Sequence, residues 1–156
     1  MTNNRVVVDA NILIKLFCEE SGTIDARELF EYLILNEFYI FAPQLLITET
    51  MNVCLAKKVD ARIVVHFFEM QLNNTLQIVD LDMSVLKKAC EVSETGHPKS
   101  GYPSFNDSVY HAVALAHDSV FITADNRHVV KTQKKFGQVL LFKNWESDLK
   151  KLLAIN

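Results

Sequence analysis

Short runs of apolar, mostly β-branched residues alternate along this chain with longer segments of helical periodicity. The first run, Arg5–Val8, is followed by a segment of helical character, and this alternation continues to the end of the sequence. Strands that are separated by helices pair in parallel, because each connection crosses over one face of the sheet. We therefore predict an α/β fold in which helices cover a central, mainly parallel sheet.

The pattern predicts both the elements and the edge of the sheet where a site would form. Strands are predicted at 5–8, 37–41, 75–80, 119–123 and 139–142, and helices at about 9–18, 25–35, 43–57, 61–72, 83–92, 105–117, 125–136 and 145–154. Asp60 and Asp82 are predicted to cap the helices at 61–72 and 83–92. The segment 93–104 holds two of the three Pro and two of the four Gly, which predicts a long loop. Sites in open sheets form at the carboxyl ends of strands, where Asp9 and Asp125 are expected.

Length and composition favour one folded domain over residues 1–156. The 156 residues leave no spare length for a second core, and 49% hydrophobic with 22% charged residues is typical of folded chains. The 16 Lys and Arg against 19 Asp and Glu give a net charge of -3, so attraction to nucleic acid has to come from local patches.

The cysteines and the apolar runs bear on the cellular compartment. Cys18, Cys54 and Cys90 form no CxxC motif and lie in apolar, helix-like stretches, which predicts buried free thiols. The apolar run at 6–8 ends at Asp9, too early for a signal-peptide core. No uncharged apolar run approaches the ~18 residues that a membrane helix needs. We expect a cytoplasmic protein that does not enter a membrane.

Four acidic residues stand out by position: Asp9, Glu49, Asp107 and Asp125. Asp9 ends the first strand, Glu49 lies within an apolar helix, Asp107 lies in the first turn of a helix, and Asp125 follows the strand SVFIT. Taken singly, each has an ordinary explanation: a helix cap, a favourable charge at a helix N-terminus, or a solvated side chain.

Taken together, the four acids indicate a metal site. Converging carboxylates repel each other, and their pKa values rise unless a cation neutralises them. Oxygen ligands without a competing His or Cys cluster select Mg²⁺ or Mn²⁺ rather than Zn²⁺. Such sites hydrolyse phosphodiesters without a side-chain nucleophile. The sequence contains no evident candidate for a side-chain nucleophile.

The segments that carry these acids resemble the motifs of the PIN-domain ribonuclease family, and most closely its VapC-like toxins. VVVDANILIKLF, with Asp9 and Asn11, is similar to the opening motif. TETMNVCLAKK is similar to the second, with Glu49 as the acid. FNDSVYHAVALAHDSVFITADNRHVVK is similar to the third and fourth, with Asp107 and Asp125. Order and spacing agree over about residues 5–142.

The resemblance implies a three-layer α/β/α sandwich and an endoribonuclease in which the four acids bind Mg²⁺ or Mn²⁺. Asn11 and Thr123 are then expected to orient the carboxylates by hydrogen bonds. The family also implies RNA as the substrate, an antitoxin protein as a partner and a homodimer. The alternative is a catalytically inactive PIN-like scaffold that binds RNA or protein.

Two other α/β functions fit the sequence less well. A receiver-type signalling domain needs an acid pair near its start and a Lys that ends a late strand, and Asp80 supplies only the acid of a middle strand. A phosphatase with Asp9 as its nucleophile expects a second Asp where Asn11 stands.

Basic and aromatic residues near the fourth acid are candidates for RNA contacts. No acid lies between Arg127 and Lys143, and within this run Arg127, Lys131 and Lys134 are predicted to contact phosphates, although a solvated helix face explains the run equally well. Tyr102 and Phe105 either stack on unpaired bases or pack the loop.

Three histidines lie near the predicted site. His111 shares a helical face with Asp107 and is interpreted as a structural, partly buried residue. His97, in the long loop, is expected to be solvated. His128 lies close to the fourth acid, and phosphate binding stays open for it.

Overall fold

The computed structural model describes residues 4–154, apart from the side chain of Leu153. The strands are β1 (Arg5–Val8), β2 (Tyr39–Pro43), β3 (Leu76–Val79), β4 (Val120–Thr123) and β5 (Val139–Leu141). The α-helices are α1 (Ala10–Leu13), α2 (Thr23–Leu35), α3 (Leu45–Ala56), α4 (Ala61–Gln71), α5 (Met83–Ser93), α6 (Phe105–Ala116), α7 (Asn126–Phe136) and α8 (Trp145–Ala154). Short 3₁₀ turns span Ile14–Leu16 and Phe142–Asn144.

The five strands form one sheet in the order β3-β2-β1-β4-β5, and every neighbouring pair is parallel. Val6, Val7 and Val8 of the central strand are at most 1% exposed. Successive side chains of a strand point to opposite faces, so helices cover the sheet on both sides. Helix α6 lies on β1, β2 and β4 and packs along α5. The predicted α/β sandwich is confirmed.

Side-chain caps fix where several helices begin. Asp60 and Asp82 accept hydrogen bonds from backbone N–H groups at the starts of α4 and α5, as the sequence predicts. Ser104 caps α6 and Asp125 caps α7 in the same way. The caps at Ser104 and Asp125 hold the two helix starts that flank the predicted site.

The helix predicted at 9–18 is shorter than expected. Helix α1 ends at Leu13, and the N–H of Phe17 donates to the carbonyl of Ile14 at 3.0 Å in a 3₁₀ turn. The β-branched Ile12 and Ile14 lower the helix propensity of this segment. The chain then turns towards α2.

The prediction of three buried thiols is wrong for one of them. Cys18 and Cys54 are buried, but Cys90 is exposed. On α5 the buried residues are Val85, Ala89 and Val92, so Cys90 lies one position away from the face that meets the core.

None of the helices formed by residues 4–154 combines the length and the apolar character needed to cross a bilayer.

Candidate active site

The sheet has a switch point between β1 and β4. From β1 the chain continues to β2 and β3 on one side, whereas β4 and β5 lie on the other. The connections that follow β1 and β4 therefore diverge and leave a crevice at the carboxyl ends of these strands. Asp9 directly follows β1, and Asp125 lies two residues beyond the end of β4.

Asp9 is a buried carboxylate with defined partners. It is 4% exposed. Its Oδ2 accepts a hydrogen bond from the Thr123 hydroxyl at 2.7 Å, and its Oδ1 accepts from the N–H of Asn11 at 3.3 Å. Burial, together with the charges of Asp107 and Glu49, raises the pKa of Asp9 to about 7. The ionised form of Asp9 is therefore destabilised by burial and, in addition, by the neighbouring acids.

Asp107 lies in the first turn of α6 and is half-buried. Its N–H donates to the Ser104 hydroxyl at 3.1 Å, which fixes the start of the helix. Burial and the charges of Asp125 and Glu49 raise the pKa of Asp107 above its usual range, against the hydrogen bond from Ser104.

Glu49, on α3, is held by two side chains of α6. Asn106 donates to its Oε1 at 3.0 Å, and the Tyr110 hydroxyl donates to its Oε2 at 2.7 Å. Tyr110 is fully buried, and its ring stacks on Phe121 with the centroids 5.9 Å apart. Burial and the bond to Glu49 raise the pKa of the Tyr110 hydroxyl, so it remains a donor.

Asn106 and Tyr110 were not predicted from the sequence as partners of Glu49. The available signal was their spacing of four residues on a helix, which places both on one face. The spacing alone does not reveal the contact, because the packing of this face of α6 against α3 cannot be read from the sequence.

Asp125 caps α7 and is bridged to Asp9. Its Oδ1 accepts from the N–H groups of Arg127 at 2.8 Å and His128 at 3.3 Å. Its own N–H donates to the Thr123 hydroxyl at 3.1 Å, the same hydroxyl that donates to Asp9. Thr123 therefore links the acids that follow β1 and β4.

The four acids interact electrostatically, but their side chains do not form a ready-made ligand set. Within residues 4–154, no three His, Cys, Asp or Glu side chains are grouped so that they could hold a metal ion. Protein donors occupy both oxygens of Glu49 and one oxygen of Asp125. Asn11 orients Asp9 through its backbone N–H, while its own Oδ1 is buried without a hydrogen-bond partner.

The candidate RNA-binding residues lie along α7. The side chain of Arg127 is 86% exposed and its Nε lies 4.0 Å from Asp125. Lys131 donates to the carbonyl of Ser100 at 2.8 Å, and Lys134 is exposed. Tyr102 and Phe105 are 54% and 44% exposed, so neither is buried within the loop.

His111 and His128 form a buried pair. Nδ1 of His111 lies 3.0 Å from Nε2 of His128, and Nε2 of His111 lies 2.8 Å from the carbonyl oxygen of Gly137. Burial lowers the pKa of both rings, to about 4 for His128. His128 is uncharged at neutral pH, which argues against the cationic phosphate contact left open for it. His97 is exposed in the loop.

Solved structures of toxin–antitoxin proteins share this fold. A toxin–antitoxin complex from Klebsiella pneumoniae matches with a TM-score of 0.60 at 18% identity, over 88% of this chain and 97% of that one. VapC20 of Mycobacterium tuberculosis, described as a toxin that cleaves the sarcin-ricin loop, matches with a TM-score of 0.62 at 15% identity, over 80% and 93%. VapBC2 of Rickettsia felis, bound to a promoter DNA fragment, matches with a TM-score of 0.61 at 15% identity, over 88% of this chain and 96% of that one.

The sequence itself identifies the family. No curated protein is significantly similar in sequence. The sequence model of the PIN domain, however, matches residues 6–134, which is most of the chain and includes all four acids. The protein that places Asp9, Glu49, Asp107 and Asp125 around the switch point of its parallel sheet is therefore a member of the PIN domain family.

Proposed function

We propose that this protein is a divalent-metal-dependent endoribonuclease and the toxin of a VapC-like toxin–antitoxin pair. The observation that carries the proposal is the mutual electrostatic effect of four acids at one crevice. Burial raises the pKa values of Asp9 and Asp107, and neighbouring charges raise them further: Asp107 and Glu49 act on Asp9, and Asp125 and Glu49 act on Asp107. A cluster that resists ionisation in this way is stabilised by a cation.

The donor set fits Mg²⁺ or Mn²⁺, with Asp9, Glu49, Asp107 and Asp125 as the residues that would hold the ion. All four provide carboxylate oxygens, the ligands that these hard cations prefer. Asn11, whose N–H donates to Asp9, also carries a buried Oδ1 without a hydrogen-bond partner, a further oxygen acceptor. When bound, such an ion supplies activation of water and neutralisation of the charge that develops on a phosphodiester.

The protein's own contribution is to keep the carboxylates in place. Thr123 and the N–H of Asn11 fix both oxygens of Asp9. Asn106 and Tyr110 fix both oxygens of Glu49. Side chains whose rotamers are held in this way lose little entropy when a ligand binds, which favours a defined position for the phosphodiester.

The proposed partners follow from the family and from the solved relatives. One of these is a toxin–antitoxin complex and another is VapBC2 bound to promoter DNA. On this basis we propose an antitoxin protein that binds the chain, a homodimeric assembly and a cytoplasmic location. RNA is proposed as the substrate.

Incubation of the pure protein with a labelled RNA pool tests the nuclease activity, in Mg²⁺, in Mn²⁺ and in EDTA. We expect cleavage with either metal, none with EDTA, and none by Asp9→Asn or Asp107→Asn. Both variants should stay folded, because each removes one of several repelling charges. Full cleavage by both variants would disprove the role of the four acids.

The alternative is a PIN-like scaffold that binds RNA or protein without cutting. One observation favours it: in the described part of the chain, no three candidate ligand side chains form a ready-made metal group. Isothermal titration with Mn²⁺ separates the two functions. An absence of both heat and cleavage would leave the scaffold as the function, whereas binding that Asp9→Asn abolishes would support the nuclease.

A further inference from the structure

A polar cavity of about 200 Å³ lies beside Asp125, between the loop before α6 and the first turns of α7. Its lining includes Ser100, Tyr102, Asp125, Arg127, His128 and Lys131. This volume is several times the ~30 Å³ share of one water in the liquid, so the cavity has room for a larger group. One of the four acids, Asp125, is part of its lining.

The loop wall of this cavity is already folded. His97 and Gly101 pair as an antiparallel bridge, with the N–H of Gly101 donating to the carbonyl of His97 at 2.7 Å. A Cβ on Gly96 would lie 2.5 Å from the carbonyl oxygen of Gly101, so the hairpin packs too closely for any side chain there. Lys131 donates to the carbonyl of Ser100 at 2.8 Å and ties the hairpin to α7.

The buried histidine pair leaves an unsatisfied acceptor on His128, a residue of the cavity lining. The carbonyl of Gly137 can only accept, so Nε2 of His111 carries the hydrogen and Nδ1 of His111 accepts. Nε2 of His128 then donates to His111, which leaves Nδ1 of His128 as a lone-pair acceptor. That atom is buried and has no hydrogen-bond partner, although His128 is only 1% exposed. A ligand with a hydroxyl or N–H donor would satisfy it.

We propose that this cavity binds one nucleotide of single-stranded RNA next to the phosphodiester that is cut. Tyr102, 54% exposed at the cavity, provides a face for base stacking. Arg127 and Lys131 provide positive charge for the phosphate. His128 accepts a hydrogen bond from the nucleotide. The inference rests on the proposed ribonuclease function, because it places the nucleotide beside Asp125.

Fluorescence anisotropy measures the binding directly. The probe is a fluorescein-labelled single-stranded RNA of ten randomised nucleotides, and the protein is the full chain carrying Asp107→Asn, so that RNA is not cut. We expect Tyr102→Ala to weaken binding about ten-fold, since stacking on one aromatic ring contributes at this level. Tyr102→Phe retains the ring and should bind within two-fold of the parent.

Tyr39→Ala is the matched control. Tyr39 is 53% exposed, almost as much as Tyr102, but it begins β2 at the opposite end of the sheet. It should bind RNA as the parent does. Gly96→Ala provides an independent test, because displacing the hairpin should weaken binding as strongly as Tyr102→Ala does, with an unchanged circular dichroism spectrum reporting an intact fold.

The results separate this inference from the function on which it rests. Equal binding by Tyr102→Ala and the parent, or no binding by either, overturns the nucleotide site. If the wild-type chain cleaves RNA and the Asp9→Asn variant does not, the nuclease proposal stands whatever the binding result. Weaker binding by Tyr102→Ala with no cleavage in Mg²⁺ or Mn²⁺ keeps the nucleotide site and overturns the nuclease.

Discussion

At the scale of single residues, Glu49 differs from the other three acids because side-chain donors from another helix hold both of its oxygens. Asn106 and Tyr110 reach it from a helix more than 50 residues away in the sequence, with separations of 57 and 61 residues. Glu49 itself is half-buried, so water can replace a lost donor. The role of these donors is therefore to fix the direction of the carboxylate more than to stabilise the fold.

Replacing Tyr110 by Phe tests this role. The ring and its stacking on Phe121 are retained, while the hydroxyl that donates to Glu49 is lost. We expect the free energy of unfolding to fall by about 1 kcal/mol. Half-maximal RNA cleavage should require at least about ten-fold more Mg²⁺, the usual cost of losing a group that orients a metal-binding side chain.

Tyr39→Phe is the control, since Tyr39 is exposed and lies far from the carboxyl ends of the strands. The Mg²⁺ dependence of both variants is measured with the labelled RNA pool. An unchanged Mg²⁺ requirement in Tyr110→Phe would mean that the hydroxyl has only a structural role.

At the scale of elements, Asp125 serves both the helix that it begins and the acid cluster. Its Oδ1 accepts two backbone N–H groups at the start of α7. Asparagine caps helices about as well as aspartate, whereas alanine does not. The two substitutions therefore separate the cap from the charge.

We expect Asp125→Asn to lose RNA cleavage with little change in stability, and Asp125→Ala to lose cleavage and about 1 kcal/mol of folding free energy. Urea unfolding measures the stability, and the labelled RNA pool measures the activity. If Asp125→Asn cleaved RNA at the wild-type rate, the Asp125 side chain would serve only as a helix cap.

The elements themselves follow from the local sequence to a large extent. The apolar β-branched runs predict the five strands, and the aspartates at 60 and 82 predict two helix starts, since both signals are local. The early end of α1 and the exposure of Cys90 depend on how segments pack, and they were not predicted. Likewise, the positions of Asp9 and Asp125 follow from strand ends, but the donors to Glu49 come from a distant helix.

At the scale of the whole molecule, burial shifts the pKa values of Asp9 and His128 in opposite directions. Asp9 is raised from 3.8 to about 7, and His128 is lowered from 6.5 to about 4. Between pH ~4 and 6.5, unfolding therefore releases a proton from Asp9 and takes one up on His128. The two contributions to the pH dependence of stability cancel in this range.

Asp9→Asn should uncover the contribution of His128. Without the Asp9 carboxyl, the proton that His128 takes up on unfolding is no longer offset, so stability should rise with pH by up to about 1.4 kcal/mol per unit between pH ~4 and 6.5, relative to the wild type. Above this range the variant should also be the more stable protein, because the wild type has to ionise a buried acid.

Urea unfolding in EDTA at several pH values, followed by the fluorescence of the buried Trp145, measures this difference. Asp80→Asn is the matched control, since Asp80 also follows a strand but is exposed. The free energy of unfolding of Asp80→Asn, plotted against pH, should run parallel to that of the wild type. Equal slopes for Asp9→Asn and the wild type would show that Asp9 is already ionised in the folded protein near pH 5. In that case the acid cluster would not oppose its own ionisation, and the argument for a cation at the crevice would lose its basis.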